Sequence, residues 1–179
     1  MSKDMMHLGG LTALIVDDNR DMRSLMLLIL RSLGAGTVLQ AETGQEAMNV
    51  IRVEEPDFVV LDHRLPDIDG VSVTKMIRTN EDSPNPFLPV LMVTGYAEPE
   101  VVFAARDNGV NEFIAKPVSV EAVAHRLSTM INKARPFVRT KEYFGPDRRR
   151  RKVAPEGSPR RRASDKEDAK KGGELEIAD

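Results

Sequence analysis

Along the first 134 residues, short apolar runs alternate with stretches whose apolar residues recur at helical spacing, and few architectures tolerate that alternation. Residues 11–16 form an apolar run, and 19–33 follow with Met22, Leu25, Met26, Ile29, Leu30 and Leu33 in helical register. Asn19 suits an N-cap and Gly34 a stop. The unit then recurs. Strand 37–41 precedes helix 44–53, which Thr43 can cap; strand 57–62 precedes helix 71–78. Strand 90–94 precedes helix 98–108, and strand 110–115 precedes helix 120–134. The stretch "NEDSPNPFLP", residues 80–89, carries three prolines and is a loop. A parallel neighbour is reached only through a crossover about as long as these helices. The pattern therefore predicts an α/β domain, a doubly wound five-stranded parallel sheet with five helices covering both faces.

In such a sheet, functional groups collect at the carboxyl ends of the strands. Those ends carry Asp17 and Asp18, then Asp62, then Thr94, then Lys116 followed by Pro117. An isolated pair of aspartates often does no more than cap the next helix. Here a third carboxylate and an ammonium fall in register with them, and clustered acids repel each other unless a cation compensates. Three carboxylates on oxygen-rich loops suit Mg²⁺, a hard cation. One of them can then act as a nucleophile toward a phosphoryl group, with metal and lysine neutralising the transferring oxygens. Asp62 is the strongest candidate because it ends the most apolar, and so most central, strand.

These residues resemble the receiver domain of two-component response regulators. The matching stretches are "VDD" (16–18), "VVLDHRLPDIDG" (59–70), "VTG" (93–95) and "FIAKP" (113–117), in the family's order, and the similarity covers roughly residues 10–134. The resemblance implies a flavodoxin-like strand order 2-1-3-4-5 and a cis Lys116–Pro117 peptide. It implies a phosphoacceptor, Asp62, served by a histidine kinase or a histidine phosphotransfer protein. Asp18, Asp62 and the backbone carbonyl of Arg64 would ligate Mg²⁺, with Asp17 helping through water. Thr94 would move toward the phosphoryl group while Phe113 turns inward, altering the face made by the fourth helix, fifth strand and fifth helix. That face would meet a downstream protein target. The resemblance further implies an autocatalysed phosphoryl transfer and dephosphorylation rather than conventional enzyme turnover. Gly95, beside the threonine, implies an open site and a readily removed phosphoryl group, with bulky Tyr96 next to it.

The remaining sequence divides by charge. Residues 1–138 hold 13 Lys and Arg against 19 Asp and Glu, and residues 139–179 hold 13 against 9, so an acidic part precedes a basic one. Residues 1–9 are expected to be a flexible N-terminus, 10–135 the domain, and 136–179 a largely disordered basic tail, poor in apolar periodicity and rich in Arg, Gly and Pro. The tail's arginine clusters at 148–150 and 160–162 can bind an acidic partner or nucleic-acid phosphates, or only keep the segment soluble. "RRRAS" resembles a kinase-substrate sequence around Ser164. Cysteine is absent, which excludes disulfides and thiolate ligands. The longest apolar run, "LMLLIL", is far too short to span a bilayer, and no export signal opens the chain, so a cytoplasmic protein is expected. His63 adjoins Asp62, but side chains alternate along a strand and it should point elsewhere. Three functions compete: a stand-alone, chemotaxis-regulator-like phosphorylation switch or phosphorelay intermediate; a transcriptional or nucleic-acid-binding regulator acting through the tail; and a phosphoester hydrolase, which lacks a cap or substrate pocket.

Overall fold

The computed structural model describes residues 7–95, 98–149 and 176–177. Strands β1 (Thr12–Val16), β2 (Thr37–Ala41), β3 (Phe58–Asp62), β4 (Val90–Thr94) and β5 (Glu112–Ala115) form one parallel sheet in the order β2-β1-β3-β4-β5. Helices α1 (Arg20–Ser32), α2 (Gly44–Glu54), α3 (Gly70–Thr79), α4 (Pro99–Asp107) and α5 (Val120–Asn132) make the crossovers. The predicted architecture, strand order and cis Lys116–Pro117 peptide are all present.

Alternation along each strand splits the core in two. Ala13, Ile15, Phe58, Val60, Leu91, Val93 and Ile114 pack with residues of α1 and α5, while Leu14, Val16, Val59, Leu61, Val90 and Met92 pack with α2 and α3. Every residue of β3 and β4 is buried, which makes them the centre of the sheet. Each fully buried Leu, Ile or Phe contributes roughly 1.5–3 kcal/mol, so the two strands carrying Asp62 and Thr94 are held most firmly.

Several predicted element ends shift by one or two residues, for local reasons. Asn19 lies outside α1 because its side chain accepts from the N–H groups of Asp21 and Met22. The fifth strand begins at Glu112, after Val110 and Asn111, because the Asn111 side chain accepts from the Val90 N–H and from Arg78 instead of continuing the expected run. Asp69 caps α3, so Gly70 is its first residue. Among the five helices, α4 has no side-chain cap bond and starts on Pro99.

The start of the segment expected as a largely disordered tail is folded. Strands β6 (Phe137–Arg139) and β7 (Phe144–Pro146) form an antiparallel hairpin, and β8 (Glu176–Ile177) pairs with β6 in a second sheet, β7-β6-β8. The segment has little apolar periodicity of its own but borrows a surface from the domain. Phe137 and Phe144 meet Phe87 of the proline-rich loop, with ring centroids 5.1 Å from it in both cases. Gly145 sits directly on Gly109, where an added Cβ would come within 2.8 Å of the Gly109 Cα.

Beneath the hairpin lies Arg78, buried on α3. Its guanidinium donates to the carbonyls of Pro86, Leu88 and Gly109 and to the Asn111 side chain, at 2.8–3.1 Å. Phe137 lies over it at 5.1 Å. Burial pulls its pKa down to about 10, which still leaves it charged at neutral pH. Of the expected flexible N-terminus, 1–9, Leu8 is instead buried, with its N–H donating to the Leu33 carbonyl at 2.7 Å; residues 1–6, Tyr96, the arginine cluster at 160–162 and Ser164 lie outside the described residues. Among the described residues, no helix is long and apolar enough to cross a membrane.

Candidate functional site

At the carboxyl ends of β1, β3 and β5 the expected acids and lysine converge. The Lys116 ammonium lies 3.1 Å from Asp17 Oδ2 and 2.8 Å from Asp62 Oδ1, although Lys116 and Asp17 are 99 residues apart. Asp17 and Asp62 are buried and Asp18 is exposed. Each of the three offers a carboxylate oxygen within 4.8 Å of the other two, so one ion could be reached by all. Three hard oxygen donors with a small bite fit a divalent metal.

The local chain explains why these side chains stay put. The Asp17 carboxylate accepts from the Asn19 N–H at 2.8 Å, and the Asp62 carboxylate from the Arg64 N–H at 2.9 Å. The cis bond after Lys116 turns the chain at the rim, and the Lys116 N–H donates to the Thr94 carbonyl at 2.7 Å. Thr94 is almost wholly buried at the end of β4, beside β3. The ring of Phe113 is partly buried, packed on the core layer that holds Met92.

Electrostatics expose an imbalance. Burial raises the Asp62 carboxyl above its ordinary range, Lys116 opposes this through its hydrogen bond and charge, and Asp17 adds to the rise. Burial works against the Lys116 ammonium, yet its contacts with Asp62 and Asp17 hold its pKa above the usual lysine value. The two shifts have different causes: burial outweighs the lysine at Asp62, and two carboxylates outweigh burial at Lys116.

Three supporting residues carried no signal strong enough to pick out beforehand. Arg23, buried on α1, donates to the carbonyls of Asp17 and Asp18 and pairs with Glu42, so it fixes the acidic doublet from behind. Asp67 accepts from the N–H groups of Gly44 and Gln45 and ties the loop after β3 to the start of α2. Those backbone hydrogen bonds hold its carboxyl below the ordinary range. At Gly70 an added Cβ would stand 2.3 Å from the Asp62 carbonyl oxygen, so the loop can close there only on glycine. The motif "DIDG" contains both Asp67 and Gly70, but Asp67's partners are 23 and 22 residues away and Gly70 meets the Asp62 carbonyl only when the loop closes. His63 continues the backbone ladder through its N–H to Val93, while its Nδ1 is buried without a hydrogen-bond partner among the described residues.

The sequence and fold around this site are similar to those of known proteins. The family model described as "Response regulator receiver domain" matches residues 13–128. The chemotaxis protein CheY-3 of Vibrio cholerae serotype O1 is 34% identical over 120 residues, covering 67% of this chain and 91% of its own length. A solved structure described as a response regulator of Chloroflexus aurantiacus superposes with a TM-score of 0.63 at 31% identity, covering 68% of this chain and 98% of its own. The receiver domain of a sensor histidine kinase from Pseudomonas aeruginosa, solved with a magnesium ion coordinated in its active-site cleft, gives 0.62 at 28% identity, covering 69% and 98%. With the fold, the strand-end acids and the bridging lysine all accounted for, the chain belongs to the response-regulator receiver family, and its ordered C-terminal hairpin lies beyond the family's match.

Proposed function

We propose that Asp62 is the phosphoacceptor of a two-component or phosphorelay switch. The observation that carries this reading is the pair of buried carboxylates, Asp17 and Asp62, sharing the Lys116 ammonium. A histidine kinase or histidine phosphotransfer protein presents a phosphorylated imidazole. An Asp62 oxygen attacks phosphorus, the phosphorus–nitrogen bond breaks, and the imidazole leaves and takes up a proton. Lys116 stands where it can stay with a non-bridging phosphoryl oxygen as the charge moves.

Mg²⁺ would be held by Asp18, Asp62 and the Arg64 carbonyl, with Asp17 helping through water, and when bound it would supply positive charge against the phosphoryl oxygens. The magnesium reported for the Pseudomonas receiver supports this assignment. Thr94 is the hydroxyl that follows the phosphoryl group, and Phe113 repacks in response, so the face of α4, β5 and α5 has two arrangements with different partner affinity. At Gly95, among the described residues and apart from its chain neighbours, no atom lies within 4 Å of where a Cβ would stand, which supports easy access of water and a short-lived phosphoryl group. The switch acts in the cytoplasm. A nucleic-acid role for the tail is the lesser reading.

The test is phosphorylation by a small acyl phosphate with Mg²⁺, followed by intact mass. The wild type should gain one phosphoryl group and Asp62→Asn should gain none. Equal labelling of both would sink the assignment.

A further inference from the structure

The second sheet, β7-β6-β8, has two unlike edges. On the β7 side the domain closes it. All three β7 residues are buried, and a Cβ on Gly109 would stand 3.1 Å from the Phe144 carbonyl oxygen, which leaves no room for a further strand. Pro146 also lacks the N–H that such a strand would need. The hairpin can therefore add a strand only at β6, where Phe137 and Val138 are half-buried and Arg139 is exposed.

Among the described residues, β8 is the strand that fills the β6 edge. It pairs antiparallel, with Ile177 opposite Val138 and Glu176 opposite Arg139. One row of the ladder sets apolar against apolar, and the next sets acid against base. Arg139 is positioned for its row in advance, because its guanidinium stacks at 4.4 Å on Phe144, its partner in β7. Lys141 follows two residues later, so the edge is basic. The sequence that supplies β8 is complementary: "ELEIAD", residues 174–179, alternates acidic and apolar residues with the two-residue period of a strand.

Edge and occupant are held very differently. Strand β6 is fixed by β7 and by Phe87, whereas β8 pairs through two residues and is joined to the hairpin by residues 150–175. So short a ladder is weak by itself, and tethering keeps it populated by making the pairing intramolecular. A strand retained in this way yields to a competitor that matches the same edge.

We propose that the β6 edge is a strand-addition site for extended protein segments in which acidic and apolar residues alternate, and that β8 is its resident, displaceable occupant. The chain thus carries a competitor for its own docking site. A partner presenting such a segment gains the edge by displacing β8. The site is built by the hairpin and Phe87, and it does not depend on the phosphoacceptor reading of Asp62.

The chain has no cysteine, so an introduced pair reports the register cleanly. With oxidised glutathione, full-length Val138→Cys/Ile177→Cys should form an intrachain disulfide at least tenfold faster than Val138→Cys/Ser158→Cys, a pair on the same chain but out of register. Equal rates, or cross-links between chains instead, would overturn the resident-strand assignment. A labelled peptide of residues 172–179 should bind full-length Glu176→Lys/Ile177→Asp at least tenfold more tightly than wild type, whose β8 occupies the edge. Adding Arg139→Glu should abolish that gain and adding Arg139→Lys should keep most of it, with unchanged thermal unfolding showing that the hairpin survives. No binding to the β8 variant, equally tight binding to wild type, or equal binding of a scrambled peptide of the same composition would each overturn the proposal.

Discussion

Lys116 Nζ lies 2.8 Å from Asp62 Oδ1 and 3.1 Å from Asp17 Oδ2, so one ammonium bridges both buried carboxylates. Replacing it with alanine leaves two buried carboxylates without their shared cation. Because the lysine side chain is still 24% exposed, the loss should be smaller than for a fully buried pair. Chemical denaturation without metal should show a destabilisation of about 1–3 kcal/mol. An unchanged midpoint would mean that the pair contributes nothing.

Added Mg²⁺ should stabilise the wild type, because a ligand that binds only the native state shifts unfolding by mass action. At ten times the dissociation constant the gain is about 1.4 kcal/mol. Thermal unfolding with Mg²⁺ and with chelator would measure it. Asp18→Ala/Asp62→Ala should lose most of the increment, and retaining all of it would place the ion elsewhere.

Asp67, on the loop after β3, gives a pH test. Its folded carboxyl sits below the ordinary 3.8 because it accepts from Gln45 and Gly44. Above 3.8 the stabilisation is fully present, and it is lost as pH falls through the lower folded value. Asp67→Ala should therefore lower the unfolding midpoint at pH 7 while narrowing the gap to wild type in stronger acid. Parallel pH curves for the two proteins would refute the linkage.

Gly70→Ala places a methyl group 2.3 Å from the Asp62 carbonyl oxygen, and backbone cannot step aside as a flexible side chain can. The loop after β3 must shift, carrying Arg64 and the Asp62 carboxylate's hydrogen bond with it. Acyl-phosphate labelling should slow by at least tenfold, and wild-type rates would show that the loop has slack.

Arg78→Met should cost about 3 kcal/mol or more, since four acceptors lose their donor inside the fold. Arg78→Lys should recover little, because one ammonium cannot span the spread of carbonyls that a planar guanidinium reaches. Urea melts of the three proteins decide it, and full recovery with lysine would show that charge alone matters.

How far the sequence discloses this structure depends on the range of the interactions involved. The strands β3 and β4 and the caps at Asn19 and Thr43 follow from neighbours in the chain, so local pattern suffices. The converging acids are legible because strand ends in a parallel sheet gather at one rim. Arg78 is not legible: on the last turn of α3 it looks like a solvent-facing residue, and its carbonyl partners come from two loops that only tertiary structure assembles. The hairpin fails for the same reason. Phe137 and Phe144 carry no periodic signal, and the surface they cover belongs to Phe87 and Gly109.

A permanent charge solvated by peptide dipoles, with aromatic rings as its lid, cannot be left half finished. Cutting the chain after Arg135 would strip that lid away and let water reach Arg78, so the shortened fragment would be a different and poorer folder, not the same protein minus an ornament. Limited proteolysis should accordingly release no stable piece ending there, and expression trials should treat everything through Arg149 as one cooperative block.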